Sequence, residues 1–335
     1  MKVYPIKFNP ILKEKIWGGN KLATFLGKDT DGDKIGESWE ISDVNGNISE
    51  ISNGIYKGTN LKELIEEYEE MLLGTENFKN FGYSFPLLIK FLDAKTDLSV
   101  QVHPDNKMAK KHHNSFGKTE MWYIMDSDEN ADIVLGLKDK KTNIKVLQNI
   151  NAQNVDAIFN REQVKKGDSF FIPAGKIHAI GAGVLAAEIQ QTSDITYRVY
   201  DWDRKDDSGE KRKLHTKFAE KATKQFDSNG KLQYTMQPNT TTNLVNCEYF
   251  TTNILNITKY LAIDYSKLDS FVIFICVEGE VNVSTGNHTE SLKIGETILI
   301  PAKAKEVIFN SNNAKLLEVY VDVDKGVVKS IQKAC

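Results

Sequence analysis

Hydrophobic and polar residues alternate with a period of two in many short segments of this chain, which is typical of strands with one buried face. Residues 98–103 show this alternation, whereas residues 85–92 are almost continuously apolar and predict a fully buried strand. Further strands, separated by turn residues, are predicted at 121–125, 131–136, 167–173, 183–190, 196–202 and through most of the chain from residue 254 onward.

Helical periodicity is confined to a few segments. Apolar residues spaced by three and four positions between 61 and 72 predict a helix that Thr59 or Asn60 can cap. Shorter helices are predicted at 104–113, 143–149, 155–160 and from 215 to about 224. These patterns together predict a mainly β protein with a small helical content.

An internal repeat suggests how the strands are organised. The sequence Lys-Gly-Asp-Ser-Phe-Phe-Ile-Pro-Ala at 166–174 returns as Ile-Gly-Glu-Thr-Ile-Leu-Ile-Pro-Ala at 294–302. Chance similarity of two turn–strand segments is the alternative, but both copies lie among short strands and glycine turns, as in two jelly-roll barrels. The second copy has Glu306 where the first has His178, so we expect no metal in the second barrel.

Composition and charge exclude several classes of protein. The 335 residues carry a net charge of −3 without the basic stripe of a nucleic-acid binder. No apolar run of about 18 residues predicts a membrane span, and the N-terminus lacks the apolar core of a signal peptide. Three widely spaced cysteines indicate reduced thiols. We therefore expect a cytoplasmic protein with no nucleic-acid or membrane partner.

Four residues of metal-ligand type recur around the predicted strands. Gln101 and His103 are two positions apart and share one face of a strand, while Glu120 and His178 follow on later segments. A single histidine is more often a satisfied core residue, but four such buried groups would need several partners without a metal. Two imidazoles, a carboxylate and an amide suit one Zn²⁺ with a position open for substrate, although Fe, Mn or Co also fit a mixed set.

Two cations accompany these residues. Arg198 lies within an apolar, aromatic segment, so it either pairs with an acidic neighbour such as Asp201 or Glu188 or clamps an anion in the metal cavity. Lys118 precedes Glu120 by two positions and projects into the same cavity if the segment is extended; otherwise it is a surface lysine.

Two further charged residues have open interpretations. Glu188 stands between apolar neighbours, which predicts either a buried carboxylate of raised pKa suited to proton transfer or a carboxylate paired with Arg198 or a lysine. Arg204 lies in a run of mixed charge, which predicts a solvated loop or a segment that recruits phosphate.

Four motifs of the chain resemble type I mannose-6-phosphate isomerase in its shorter bacterial form. They are Gln-Val-His-Pro-Asp-Asn at 101–106, Gly-Lys-Thr-Glu-Met-Trp at 117–122, Ile-Pro-Ala-Gly-x-x-His-Ala-Ile at 172–180 and Ser-Asp-x-Thr-Tyr-Arg-Val-Tyr-Asp-Trp-x-Arg at 193–204. The resemblance extends from Trp17 to the final strands. It implies two cupin-type jelly-roll barrels with a small helical insertion, in a monomer or weak homodimer.

The resemblance also implies domain limits. Residues 1–250 would form the catalytic cupin barrel, with the helical insertion at about 57–84 and 104–114. Residues 251–335 would form a degenerate C-terminal barrel without metal.

The resemblance assigns roles to the residues of the site. It implies Zn²⁺ on Gln101, His103, Glu120 and His178. It implies that Arg198 is the catalytic arginine, that Lys118 is catalytic and contacts substrate, and that Ser99 contacts the phosphate, with Arg204 as a further substrate contact. Glu188 corresponds to a candidate acid/base of the longer forms, although its spacing from His178 differs by one residue. The implied reaction interconverts mannose 6-phosphate and fructose 6-phosphate through a cis-enediol.

Other functions remain as alternatives. A metal-dependent cupin oxygenase does not explain Lys118 and Arg198. A non-catalytic sugar-binding cupin would lose the metal set or the arginine. A fused nucleotidyltransferase would need a glycine-rich nucleotide loop, which the sequence lacks. Isomerisation of glucose 6-phosphate is a rival that only turnover with each sugar phosphate would separate.

Overall fold

The computed structural model describes residues 1–30, 32–139, 141–206, 208–227 and 229–322. The chain divides into two compact units. The terminal unit contains Met1–Ile11, Trp39–Leu88 and the chain from Gln233 onward, and the central unit contains Leu12–Ser38 and Ile89–Leu232.

Most of the described regular structure is strand. The helices are α1 (Lys21–Thr24), α2 (Leu61–Leu73), α3 (Thr75–Phe81), α4 (Asn106–His113), α5 (Val155–Ile158) and α6 (Thr216–Ala222), with a 3₁₀ helix at Ile144–Asn149. The strands are β1 (Ile6–Lys7), β2 (Ile11–Gly19), β3 (Ile35–Ile41), β4 (Asp43–Val44), β5 (Asn47–Ile48), β6 (Leu87–Ala94), β7 (Val100–Val102), β8 (Glu120–Ser127), β9 (Asp132–Leu137), β10 (Phe159–Gln163), β11 (Ser169–Ile172), β12 (His178–Ile180), β13 (Val184–Gln191), β14 (Tyr197–Tyr200), β15 (Thr241–Asn246), β16 (Thr251–Ile257), β17 (Leu261–Asp264), β18 (Val272–Thr285), β19 (His288–Lys293), β20 (Thr297–Ile300) and β21 (Glu306–Tyr320).

The terminal unit is built on an eight-stranded sheet. Its main path runs β1-β20-β18-β21-β16-β15, while β17 pairs with β21 and β19 pairs with β18. Alternate residues of the long strands are buried in one apolar core, which includes Phe274, Phe309 and Leu316. The unit also contains α2, which begins as predicted: the Asn60 side chain accepts the Glu63 N–H, and the Glu63 carboxylate accepts the Asn60 N–H.

The central unit is built on two sheets. One has the order β10-β9-β12-β7-β14, and the other has the order β11-β8-β13-β6-β2-β3. Cross-strand partners in the first sheet place His178 beside Gln101 and Gln101 beside Arg198. Because directly opposed residues point to the same face, these three side chains share one face of that sheet. The other face packs against a separate apolar cluster that includes Val100, Val102 and Tyr197.

The prediction of a mainly β fold with few helices is confirmed. Both copies of the sequence repeat form strands, β11 and β20. Some helix limits were wrong. Helix α4 begins at Asn106 instead of 104, because the Asp105 side chain accepts the Met108 N–H as the N-cap. Helix α5 ends at Ile158, because Phe159 begins β10 and pairs with Leu137 of β9.

The two units do not follow the predicted limit at residue 250. Strands near the N-terminus and before residue 250 belong with the C-terminal sheet, since β1 pairs with β20 and β15 pairs with β16. Helices α2 and α3 also lie in the terminal unit, whereas α4 lies in the central unit. Residues 323–335 of the predicted second barrel lie outside the described residues. None of the described helices has the length and apolar character needed to cross a bilayer.

Candidate functional site

Three buried side chains of the central unit converge on one point. The Nε2 atoms of His103 and His178 are 3.1 Å apart. Glu120 Oε1 lies 3.3 Å from His178 Nε2, and Glu120 Oε2 lies 3.6 Å from His103 Nε2. Gln101 joins them, with its Nε2 atom 3.4 Å from His178 Nε2. In the described part of the chain, these two histidines and Glu120 form the cluster of ligand-type residues that could hold a metal ion.

Strand pairing explains why residues so distant in sequence meet. His178 begins β12 and pairs with Gln101 of β7, and His103 follows directly after that strand. Glu120 begins β8 in the other sheet, where it pairs with Ile172 and Gln190. The site therefore draws one side from each sheet of the central unit.

Backbone carbonyls fix the tautomer of both histidines. The Nδ1 atom of His103 lies 2.8 Å from the Ile195 carbonyl oxygen, and the Nδ1 atom of His178 lies 2.8 Å from that of Lys176. Each Nδ1–H therefore donates, and each Nε2 presents a lone pair to the centre. Burial lowers the pKa of His178 to about 3 and the pKa of His103 well below its usual value, with Lys118 adding to both shifts. Both rings are neutral at physiological pH, as metal ligation requires.

Glu120 is a fully buried carboxylate with Lys118 beside it. Both of its oxygens are buried; Oε1 has no hydrogen-bond partner, and the Lys118 ammonium lies 3.0 Å from Oε2 as an ion pair. Burial raises the pKa of Glu120 to about 7, against the opposing effect of Lys118. Burial would lower the pKa of Lys118, but the carboxylates of Glu120 and Glu188 raise it instead. A buried carboxylate beside two imidazole lone pairs is a suitable donor set for a dication.

The structure corrects one expectation for Glu188. Its Oε2 accepts the Trp122 indole N–H at 2.9 Å, and its Oε1 lies 3.4 Å from Lys90 Nζ and 3.5 Å from Lys118 Nζ. Burial alone would raise the pKa of Glu188, but the two lysines and the indole lower it below its usual value. The prediction of a raised pKa was wrong, and the alternative of pairing with a lysine is what the structure has.

The sequence reasoning missed Lys90. This residue is buried in β6, and its Nζ lies 3.7 Å from Glu37 Oε2 as well as close to Glu188. The available signal was a lysine inside the apolar run Leu87–Ala94, since lysine is almost never fully buried unless it is paired.

Arg198 has no carboxylate within ion-pair distance among the residues that the structure describes. Its Nη1 donates to the Lys213 carbonyl oxygen at 2.9 Å, and its buried Nε has no hydrogen-bond partner. Burial, with Arg212 and Arg204, lowers the pKa of Arg198. The salt-bridge alternative with Asp194, Asp201 or Glu188 is therefore not what the structure contains.

The two remaining predicted substrate contacts, Ser99 and Arg204, differ in their surroundings. Ser99 is buried, and its hydroxyl lies 3.4 Å from Gln101 Oε1, which places it at the cluster. Arg204 instead forms a close ion pair with Asp201 at 2.6 Å and donates to the Asp97 carbonyl oxygen, although its Nε lacks a partner. Asp201 also binds Arg212. Arg204 is thus tied into a charged network of its own loop.

Two family models match the chain. The family model described as phosphomannose isomerase type I, catalytic domain, matches residues 6–147, and that described as mannose-6-phosphate isomerase, cupin domain, matches residues 240–321. The cupin class predicted from the sequence is thereby confirmed.

Individual relatives match most of the chain. It is 37% identical to mannose-6-phosphate isomerase ManA of Bacillus subtilis, over 90% of this chain and 94% of the relative. It is also 37% identical to the mannose-6-phosphate isomerase of Streptococcus mutans, over 92% and 96% of the two chains. A crystal structure of the Bacillus subtilis mannose 6-phosphate isomerase superimposes with a TM-score of 0.82 at 34% identity, covering 94% of this chain and 99% of that one. The chain therefore belongs to the mannose-6-phosphate isomerase family, and it is an isomerase of the cupin fold.

Proposed function

We propose that the chain interconverts mannose 6-phosphate and fructose 6-phosphate and that it depends on one Zn²⁺ per chain. The proposed ligands are Gln101, His103, Glu120 and His178. Family membership and relatives named mannose-6-phosphate isomerase support a sugar phosphate as the substrate. The glucose phosphate isomer remains the rival substrate for the same chemistry.

One observation is the main support for a bound metal. Two neutral imidazoles face each other with Nε2 lone pairs at 3.1 Å, and the buried Glu120 carboxylate lies beside both, with its Oε1 lacking a hydrogen-bond partner. Facing lone pairs repel, so the arrangement calls for a cation among the three groups. Gln101 would contribute its amide oxygen after a half-turn of the amide, since oxygen and nitrogen exchange places on that rotation. When bound, the ion would supply Lewis-acid stabilisation of charge on a sugar oxygen.

The isomerisation moves a proton from C2 of the aldose to C1 of the ketose through a cis-enediol. Glu188 is the proposed base, because its lowered pKa leaves it ionised at neutral pH and able to accept a proton. Lys118 and Arg198 are the proposed cations that stabilise negative charge developing on O1 and O2. The position of Lys118 supports this role, because its Nζ lies 3.0 Å from Glu120 Oε2 and 3.5 Å from Glu188 Oε1.

The phosphate requires donors of its own. We propose the Ser99 hydroxyl and Arg204 as contacts, supported by the unpartnered Nε of Arg204 and the place of Ser99 beside Gln101. We further propose that the central unit is the catalytic barrel and that the barrel of the terminal unit carries no metal. The described cluster His103, Glu120 and His178 belongs to the central unit.

A coupled assay with mannose 6-phosphate tests the function directly. Formation of fructose 6-phosphate should stop after treatment with a chelator and return when Zn²⁺ is added. Parallel assays with glucose 6-phosphate separate the rival substrate. An enzyme that turns over neither sugar phosphate, with metal present by elemental analysis, would refute the proposal.

A further inference from the structure

Arg198 lies on an edge strand of its sheet. Strand β14 is the last strand in the order β10-β9-β12-β7-β14, so only one of its edges is paired with a strand, β7. The backbone groups on the other edge still need hydrogen-bond partners. A catalytic side chain on such a strand is held less firmly than one on a central strand unless another segment covers the edge.

The segment 213–215 covers this edge at Arg198. The His215 N–H donates to the Arg198 carbonyl oxygen at 2.7 Å. The Arg198 N–H in turn donates to Nδ1 of the His215 ring at 3.2 Å. The Arg198 guanidinium donates to the Lys213 carbonyl oxygen at 2.9 Å. One short segment thus binds the backbone N–H, the backbone carbonyl and the side chain of the same arginine.

The imidazole of His215 takes the place that a strand carbonyl would occupy. Its Nδ1 is an acceptor only when that nitrogen carries no proton, which requires the neutral ring with the proton on Nε2. The ring therefore accepts the Arg198 N–H only when it is neutral and in the tautomer with the proton on Nε2.

We infer that His215 is a positioning residue, which fixes Arg198 for the reaction by accepting its backbone N–H. This inference rests on the role of Arg198 in the proposed function. His215 itself need not touch the substrate. Its effect reaches the reaction through the orientation of the arginine, and small displacements of a catalytic group are costly to rate.

The surroundings of His215 favour the neutral ring. Burial lowers its pKa, and the positive charges of Arg198 on β14 and Lys213 on its own segment add to the effect, as does His113 on α4. The Tyr197 ring also packs near it, and the Tyr197 hydroxyl is bonded to His113 Nε2 at 2.8 Å. His215 is the N-cap of α6, where the helix dipole disfavours a cation.

Two substitutions of His215 distinguish the effect of the hydrogen-bond acceptor from the effect of the ring itself. His215→Phe keeps a ring but removes the acceptor, so kcat should fall about 10- to 100-fold while KM changes little. His215→Asn places Oδ1 close to the position of Nδ1, and asparagine is a favoured N-cap, so this variant should stay within about threefold of the parent. His112→Ala removes an exposed histidine of the central unit and is the control for loss of an imidazole.

The pH profile gives an independent readout. The parent enzyme should lose kcat as acid protonates His215 below the usual histidine pKa, because the ring can then no longer accept the Arg198 N–H. His215→Asn has no such group and should keep its kcat over that range. A structural role alone would lower the melting temperature of both variants without removing this limb of the profile.

The outcomes separate the two proposals. A parent enzyme without sugar-phosphate turnover, or an active Arg198→Ala variant, would overturn the proposed function. An active parent and an inactive Arg198→Ala, combined with a fully active His215→Phe, would overturn the role of His215 alone. Equal losses in His215→Phe and His215→Asn would likewise show that the acceptor is not what matters.

Discussion

The Nε2 atoms of His103 and His178 face each other at 3.1 Å, and each ring is locked by a bond from its Nδ1 to a backbone carbonyl. Neither ring can turn its protonated nitrogen inward without losing that bond. The fold therefore maintains two lone pairs in contact, next to the buried carboxylate of Glu120. A site of this kind gains stability from a bound cation, and each ligand should be needed for tight binding.

Removal of one imidazole should release the metal. We expect His178→Ala to lose most of its bound Zn²⁺ and its isomerase activity, since one of the two inward nitrogens is gone. Elemental analysis of the purified variant, together with the coupled assay, measures both. His288→Ala, which removes an exposed histidine of the terminal unit, is the matched control and should keep metal and activity. Full metal content in His178→Ala would contradict the ligand set.

Loss of the arginine should affect turnover but not metal. We expect Arg198→Ala to lower kcat by about 10³-fold or more, because the cation proposed to stabilise developing charge is removed. Arg198→Lys keeps the charge but not the planar group, so it should recover only part of the rate. Circular dichroism and metal content should match the parent in both variants. Metal loss in Arg198→Ala would instead assign the arginine a structural role.

The indole of Trp122 should tune the proposed base. Trp122→Phe removes the N–H that donates to Glu188, and this bond favours the ionised carboxylate. The pKa of Glu188 should therefore rise, and the acid limb of the kcat/KM profile should move to higher pH. The variant should also lose about 1–3 kcal/mol in free energy of unfolding, as is typical for a lost bond to a charged group. An unmoved acid limb would count against Glu188 as the base, whereas Glu188→Gln should be nearly inactive.

The turn before His178 should not tolerate a side chain at Gly175. This glycine has a φ of +94°, and a Cβ atom there would lie 2.8 Å from the Ala222 carbonyl oxygen. We expect Gly175→Ala to cost about 1–3 kcal/mol in free energy of unfolding and to weaken metal binding. Gly136→Ala is the control, because Gly136 also has a positive φ but no atom within 4 Å of its Cβ position. Denaturant unfolding and Zn²⁺ titration of both variants test the difference.

Glu318 in the terminal unit should make stability depend on pH. Burial raises the pKa of Glu318, although bonds from Tyr265 and Asn253 oppose this. A carboxyl whose pKa is raised by folding contributes stability below its unfolded pKa and loses it as pH rises through the folded pKa. Glu318→Gln should therefore gain stability relative to the parent as pH rises above about 4.5, with isomerase activity unchanged. A stability difference that is flat with pH would contradict this prediction.

The sequence predicted the features that depend on local pattern. Alternation marked β7, the spacing of apolar residues and Asn60 marked α2, and the ligand-type residues Gln101 and His103 were recognised by their shared face. These features follow from the side-chain period of each element and from capping, which neighbouring residues alone determine.

Features that depend on distant partners were not predictable from such patterns. The lowered pKa of Glu188 results from Lys90 and Lys118, which belong to other segments, and no spacing along the chain indicates that they converge on it. The assignment of strands to the two compact units was hidden for a similar reason, because β1 pairs with β20 across most of the sequence. Charge balance and strand order are set by the tertiary fold.

The pairing of His178 with Gln101 joins positions 77 residues apart. A growing polypeptide consequently cannot complete the proposed metal site until the segment through β12 has been synthesised and has paired with β7. Non-local pairing of this kind is slow compared with helix formation. Uptake of Zn²⁺ by a nascent or refolding chain would thus report when β12 pairs with β7. Stopped-flow measurement of zinc uptake would time barrel assembly without any label on the protein.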